Sequence, residues 1–191
     1  MAHFFVSIGI TPNQMSSASM VAALLGGGAC LGATAVAPLV SRLLFVAVAV
    51  CIQLRLLSNL LDGLMAIEED KRTATGALFN EFPDRVSDTL FLVGAGYASG
   101  SAELGWAAAL LAVLTAYVRA MGASLGFGQD YTGPMAKQQR MFVLTVGSLA
   151  AAILPHRPVL LIALAIIATG SAFTALRRTY RLAGQLTAAH D

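Results

Sequence analysis

The chain has 191 residues, 57% of them hydrophobic against 12% charged, with a formal net charge of +2 and a mean hydropathy of +0.74. Soluble domains carry about twice that charged fraction, so a water-soluble globular domain is excluded, and so small a net charge leaves no footprint for nucleic acid. Apolar runs of the ~20 residues that a helix needs to cross the hydrocarbon core recur along nearly the whole length, which predicts an all-α, polytopic membrane protein built as a single domain over 1–191.

The opening MAHFFVSIGITPNQ has no basic n-region and no small-residue cleavage site. It is expected to be retained as a short juxtamembrane segment rather than removed as a signal peptide. Six transmembrane helices are predicted, over about 16–37, 40–66, 75–97, 102–124, 140–154 and 158–176. Gly26, Gly27, Gly28 and Gly32 in the first offer places for another helix to approach closely, or are ordinary membrane-helix glycines. Cys30 and Cys51 fall inside apolar runs, as small hydrophobes do. Pro38, YASGSAE and LPHRP mark turns on one side of the membrane, which carries Arg42 and Arg157. The loops EEDKR and GQDYTGPMAKQQR and the tail RRTYR hold Lys71, Arg72, Lys137, Arg140, Arg177, Arg178 and Arg181 on the other. The positive-inside rule makes that second side, with both termini, cytoplasmic. His3, His156 and His190 lie far from the acidic residues described next, and Tyr97 and Trp106 suit interface anchors.

The stretch NLLDGLMAIEEDKRTATGALFNEFPDRVSD, residues 59–88, places acids inside or at the ends of two adjacent spans. An Asp at a helix centre costs about 2.5 to 3.5 kcal/mol in lipid, so a cavity, a countercharge or a bound cation must offset it. Asn59 and Asp62 are three apart and share a helix face; Asn80, Asp84 and Asp88 are spaced by four, with Glu81 beside them. All the ligands on offer are oxygens, which suit Mg²⁺, Mn²⁺ or Ca²⁺ rather than zinc. Ion pairing to Arg55, Arg72 and Arg85 is the alternative use of these acids. Gly63 directly after Asp62, and Gly76 at the start of the third span, permit a close ligand approach, with a phosphate over that helix N-terminus.

These residues resemble the CDP-alcohol phosphatidyltransferase family, whose signature is DxxDGxxAR, eight residues, then GxxxDxxxD. The chain reads NLLDGLMAI from Asn59, eight residues, then GALFNEFPD from Gly76. Asp62, Gly63, Ala66, Gly76 and Asp84 match; Asn59, Ile67 and Asn80 depart from Asp, Arg and Asp. The Asn80–Glu81 pair and DRVSD are similar to a divergent branch with Asn at the first and third Asp positions. ITPNQMSSAS, AYVRAMGASLG and GPMAKQQR resemble further recurring segments, so the likeness runs from about Thr11 to Arg140.

The resemblance implies transfer of a phosphatidyl or related phospho-alcohol group from a CDP-linked lipid, such as CDP-diacylglycerol, to an alcohol, releasing CMP in phospholipid biosynthesis. It assigns metal binding, to one or two Mg²⁺ or Mn²⁺ ions, to Asn59, Asp62, Asn80 and Asp84, with Asp84 also the general base. Glu81 and Asp88, each within a helical turn of Asp84, are expected to restore the two charges lost at Asn59 and Asn80. Thr11, Pro12, Asn13, Gly63, Ala66 and Gly76 are expected around the nucleotide, with Lys71 or Arg72 replacing the arginine missing at Ile67. Arg119, Lys137 and Arg140 form the expected pocket for an anionic acceptor such as a sugar phosphate or glycerol phosphate; topology alone is the other reading of these three. A homodimer in a prokaryotic inner membrane, with the active site facing the cytoplasm, completes the expectation. A catalytically degenerate member binding a nucleotide lipid or a protein partner is the alternative, with a small cation transporter as a third reading.

Overall fold

The computed structural model describes residues 12–68, 76–154 and 158–189, and within them six helices. They are α1 (Pro12–Gly32), α2 (Pro38–Glu68), α3 (Gly76–Ala98), α4 (Ala102–Ser124), α5 (Lys137–Ile153) and α6 (Val159–Ala188). Each is a block of Leu, Ala, Val and Ile interrupted by glycine, and the breaks fall at the Pro38, Gly100 and Gly126 turns. α1 starts on Pro12, where the missing N–H costs nothing and the fixed φ suits the first turn.

Four helices are long and apolar enough to cross a membrane: α1, α2, α4 and α6. The other two depart from the predicted set of six for different reasons. α3 carries Glu81, Asp84, Arg85 and Asp88 in its first half. α5 has 17 residues, a length of about 26 Å at 1.5 Å per residue. α6 continues beyond the predicted end at 176 to Ala188. That extension is rich in Ala, Leu, Arg and Gln, good helix formers that hydropathy does not register.

Side-by-side packing runs in a circuit, α1–α2–α5–α6–α4–α3 and back to α1, with α3 also touching α6. The α1–α3 crossing is set by glycine, because a Cβ on Gly94 would stand 2.9 Å from the Gly27 carbonyl oxygen. Gly28 meets nothing within 4 Å and Gly32 only a leucine methyl at 3.6 Å, so of the four glycines in α1 only Gly26 and Gly27 serve close approach. Cys30 and Cys51 are free thiols, the first buried in the apolar core with Phe91, Leu92, Val48 and Ile52. Tyr97 and Trp106 are exposed, as interface anchors require. The three histidines lie outside the described residues.

α2 is 31 residues long, about 46 Å, against a hydrocarbon core of about 30 Å. Its last turns therefore reach past the apolar slab. Because successive helices alternate in direction, that same end of the bundle collects the start of α3, the end of α4, the start of α5 and the end of α6. The charged side chains of the chain converge there.

Candidate functional site

At this end α3 meets α2 and α5 through long polar side chains rather than close backbone packing, whereas α2 and α5 pack side by side. Arg55 on α2 is fully buried, and its Nη2 donates to Asp84 Oδ1 at 3.1 Å, to the Asp84 carbonyl at 3.3 Å and to Asp88 Oδ1 at 2.8 Å. Arg140 on α5 donates through Nη2 to Asp88 Oδ2 at 3.0 Å, and through Nη1 to the Met135 carbonyl at 3.0 Å and Thr115 Oγ1 at 3.2 Å. Asp88 is thus closed on both oxygens by arginines from two other helices and is 1% exposed.

Asp84, one turn earlier on α3, has a different setting. Its Oδ1 accepts from Arg55 and from Asn59 Nδ2, while its Oδ2 accepts from Lys137 Nζ, with Arg85 Nη2 3.6 Å away. Asp84 borders a cavity of about 520 Å³, and Asp88 does not. Pro83 precedes Asp84 inside the helix and removes one rung of the hydrogen-bond ladder there.

The rest of the cavity lining is mostly basic. Arg119 on α4 reaches Glu81 Oε1 at 2.6 Å and Gln129 Oε1 at 2.6 Å, accompanied by the Tyr131 hydroxyl at 3.2 Å and the Tyr131 ring at 5.0 Å. Arg85 also pairs with Glu81, at 3.4 Å. Arg178 on α6 binds the Thr115 and Thr132 carbonyls. The cavity is lined by five cations, Arg85, Arg119, Lys137, Arg140 and Arg178, against two acids, Glu81 and Asp84. With Arg140 matched to Asp88, four cations still face two carboxylates.

The loop 125–136 roofs this wall. Thr132 donates from its backbone N and its Oγ1 to Asp130 Oδ1, and Arg181 grips the Thr132 hydroxyl at 2.6 Å. Gly133 sits at φ +136 with Thr174 so near that a Cβ would overlap its methyl. Met135 N is bonded to Thr174 Oγ1 at 3.0 Å, which fixes the approach to Lys137.

Of the sequence-predicted residues, the structure brings Asn59, Glu81, Asp84, Arg119, Lys137 and Arg140 to one cavity. Gly63 stands one helical turn beyond Asn59, and a Cβ there would meet nothing within 4 Å. Asp62 and Ala66 lie in α2, Asn80 in α3, Gly76 at its start, and Pro12 and Asn13 at the start of α1; their side chains, and Thr11, Lys71 and Arg72 entirely, are outside the described residues. Among the described residues no three His, Cys, Asp or Glu side chains gather as a metal-ligand group. Glu81 faces Arg119 and Arg85, and Asp88 faces Arg55 and Arg140, so both are spent on cations of the protein.

Sequence reasoning missed Arg178, Thr115 and Tyr131. Ser171, Thr174, Ala175, Arg178 and Leu182 are all buried on one face of α6, a 3–4 spacing that marks Arg178 as inward even within a basic tail.

The donor chemistry fits a hard divalent ion. Asn59 meets Asp84 across α2 and α3 by donating its Nδ2–H, which leaves the Asn59 Oδ1 and the Asp84 Oδ2 as the oxygen donors at the cavity, and Asp84 already stabilises one cation there, the Lys137 ammonium.

No family model matches the chain. It is 29% identical to the inner membrane protein YnbA of Escherichia coli (strain K12) over 148 residues, 77% of this chain and 71% of that protein. Its structure is similar to that of Mycobacterium tuberculosis phosphatidylinositol phosphate synthase (PgsA1) with CDP-DAG bound. The TM-score is 0.78 at 19% identity, covering 95% of this chain and 90% of that one. The same synthase in complex with manganese and citrate gives a TM-score of 0.74 at 21% identity, covering 95% and 86%. The chain therefore has the fold of a CDP-alcohol phosphatidyltransferase, as the signature spacing implied.

Proposed function

We propose that this chain is an integral membrane CDP-alcohol phosphatidyltransferase, acting at the cytoplasmic face of an inner membrane. The observation that carries the reading is Asp84, a carboxylate facing a cavity whose lining is otherwise mostly basic. The acceptor hydroxyl attacks the phosphorus bonded to the lipid alcohol. The P–O bond to CMP breaks, CMP leaves, and the hydroxyl proton passes to the Asp84 carboxylate. Asp84, Asp62 and the carbonyl oxygens of Asn59 and Asn80 would hold a Mg²⁺ or Mn²⁺, which would neutralise the diphosphate as CMP departs.

The geometry supports a changed division of labour among the six residues expected to hold metal. Asp88 serves as the countercharge that lets Arg55 and Arg140 be buried, and Glu81 holds Arg119 in place at the acceptor wall. Thr11, Pro12, Asn13, Gly63, Ala66 and Gly76, with Lys71 or Arg72, remain the proposed nucleotide contacts. Arg119 and Arg178 face the acceptor, and their charge favours an alcohol that carries its own phosphate, while Lys137, seated on Asp84, is left to the donor's diphosphate. An apolar groove of about 740 Å³ between α2 and α5 shares Gln138 with the cavity and is lined by Val46, Val50, Leu54, Leu57 and Leu60, a suitable bed for the donor's acyl chains. Membrane passage by α3 and α5 and pairing of two copies complete the proposal.

The test is CMP release by purified protein from CDP-diacylglycerol with Mg²⁺ or Mn²⁺, across free and phosphorylated alcohols. Release is expected with a phosphorylated acceptor, and Asp84→Asn should lower it by on the order of 10²–10⁴-fold. Nucleotide-lipid binding without CMP release from any acceptor contradicts the proposal.

A further inference from the structure

Any cation that takes Asp84 must contend with the ones already there. Oδ1 is held from the α2 side by Arg55 and Asn59, and Arg55 is fully buried and tied to Asp88 as well. Arg55 has no freedom to withdraw. Oδ2 is held by Lys137, whose side chain is 26% exposed, lines the cavity and has Asp84 as its hydrogen-bond partner. A lysine is a compact point charge on a flexible four-carbon stem, so it can swing where a forked, bridged arginine cannot. Arg85 stands behind it, 3.6 Å from the same oxygen, and is already engaged with Glu81.

We infer that Lys137 is a tethered cation that occupies Asp84 Oδ2 until a divalent ion displaces it, and that the released ammonium then pairs with the phosphates of the substrate. The inference rests on the phosphatidyltransferase reading for the identity of that substrate. Its physical basis is like-charge repulsion: a divalent ion and an ammonium on one carboxylate oxygen, in a cavity partly screened from water, oppose each other strongly. Lys137 therefore weakens ion binding to the empty site and strengthens anion binding to the loaded one. Ion and substrate bind cooperatively as a result, each tightening the other by the same factor.

The experiment is a Mn²⁺ titration of the full chain in nanodiscs, followed by electron paramagnetic resonance of the free ion, for wild type, Lys137→Gln and Lys137→Arg. Lys137→Gln is expected to bind Mn²⁺ roughly tenfold or more tightly than wild type, and Lys137→Arg, which keeps the charge, to stay near wild type. Adding CDP-diacylglycerol should tighten Mn²⁺ binding to wild type and do so much less for Lys137→Gln. Unchanged or weaker Mn²⁺ binding by Lys137→Gln overturns the inference, as does no Mn²⁺ binding by either protein. A second measurement needs no substitution, because Lys71 and Lys137 are the chain's only lysines. Amine labelling at Lys137, read by mass spectrometry, should rise several-fold on adding Mg²⁺ and fall again with CDP-diacylglycerol; labelling indifferent to Mg²⁺ overturns the idea. CMP release by wild type, run in parallel, separates the two levels. Tighter Mn²⁺ binding in Lys137→Gln without CMP release removes the reaction and leaves the tethered cation, whereas CMP release with unchanged Mn²⁺ affinity does the reverse.

Discussion

Asp84 and Asp88 are the same residue type, one helical turn apart on one face of α3, yet their surroundings assign them different work. Asp88 sits between two buried guanidiniums, and taking it away leaves the buried Arg140 without a carboxylate and Arg55 with Asp84 alone. Asp88→Ala should therefore cost about 3–5 kcal/mol of stability, read as a large fall in the melting temperature of the detergent-solubilised protein. Glu81 is different again, since its side chain is 41% exposed. Glu81→Gln should leave melting nearly unchanged, as exposed ion pairs do, while raising the KM for a phosphorylated acceptor through a loosened Arg119. Arg119→Gln should raise that KM directly, by roughly tenfold or more, as expected from losing a hydrogen bond to a charged group. Equal turnover of phosphorylated and free alcohols by Arg119→Gln and wild type would contradict the acceptor assignment. The sequence made all these acids visible, because carboxylates beside apolar runs stand out. It did not tell Asp84 from Asp88, since the distinction depends on Arg55 and Arg140 arriving from other helices.

At the scale of the elements, the helices follow the hydropathy blocks closely, and α4 occupies the span expected for it. Apolar blocks and turn residues are local signals, and they survive folding. The end of α6 was illegible because hydropathy measures preference for lipid, whereas the last turns of α6 are helical through propensity and through Arg178 packing inward. The role of each glycine was equally hidden. Gly94→Val should cost about 1–3 kcal/mol or more by forcing α3 off the Gly27 carbonyl, and Gly28→Ala should melt like wild type. The loop that roofs the basic wall adds a pH dependence. Burial acts to raise the Asp130 carboxyl, but the Thr132 hydrogen bonds, with Arg181 and Arg178, hold it net below the usual carboxylate range. A carboxyl lowered in the folded state contributes stability above its unfolded value, and that contribution is lost as pH falls through the folded value. Amide exchange in 126–136 should accordingly speed up below the ordinary carboxylate range, and Asp130→Asn should remove that pH dependence.

For the whole molecule, the alternating helices gather the ends of α2, α4 and α6 and the starts of α3 and α5 into one polar pole above an apolar body. The pole combines a carboxylate, an excess of cations, and an apolar groove that borders the cavity at Gln138. That combination suits the proposed reaction of a lipid-borne diphosphate with a small polar alcohol, whereas a cation transporter gives no use to the excess of cations or to the apolar groove. The resemblance in signature spacing was enough to anticipate the fold. The balance of charge was not, because Arg178 enters from a tail that reads as topology, and Arg140 is matched to Asp88 from more than 50 residues away in sequence; the pairing of Arg55 with these acids was legible as the alternative use of the carboxylates. The claim on which the account turns is that α2 and α3 hold a divalent ion at Asp84. Crystals grown with Mn²⁺ and CDP-diacylglycerol, with data collected at the manganese absorption edge, test it directly. The account predicts an anomalous peak in coordination contact with Asp84 Oδ2, with Lys137 turned away toward the diphosphate. A peak placed elsewhere, or Lys137 still seated on Asp84 with no manganese beside it, would contradict it.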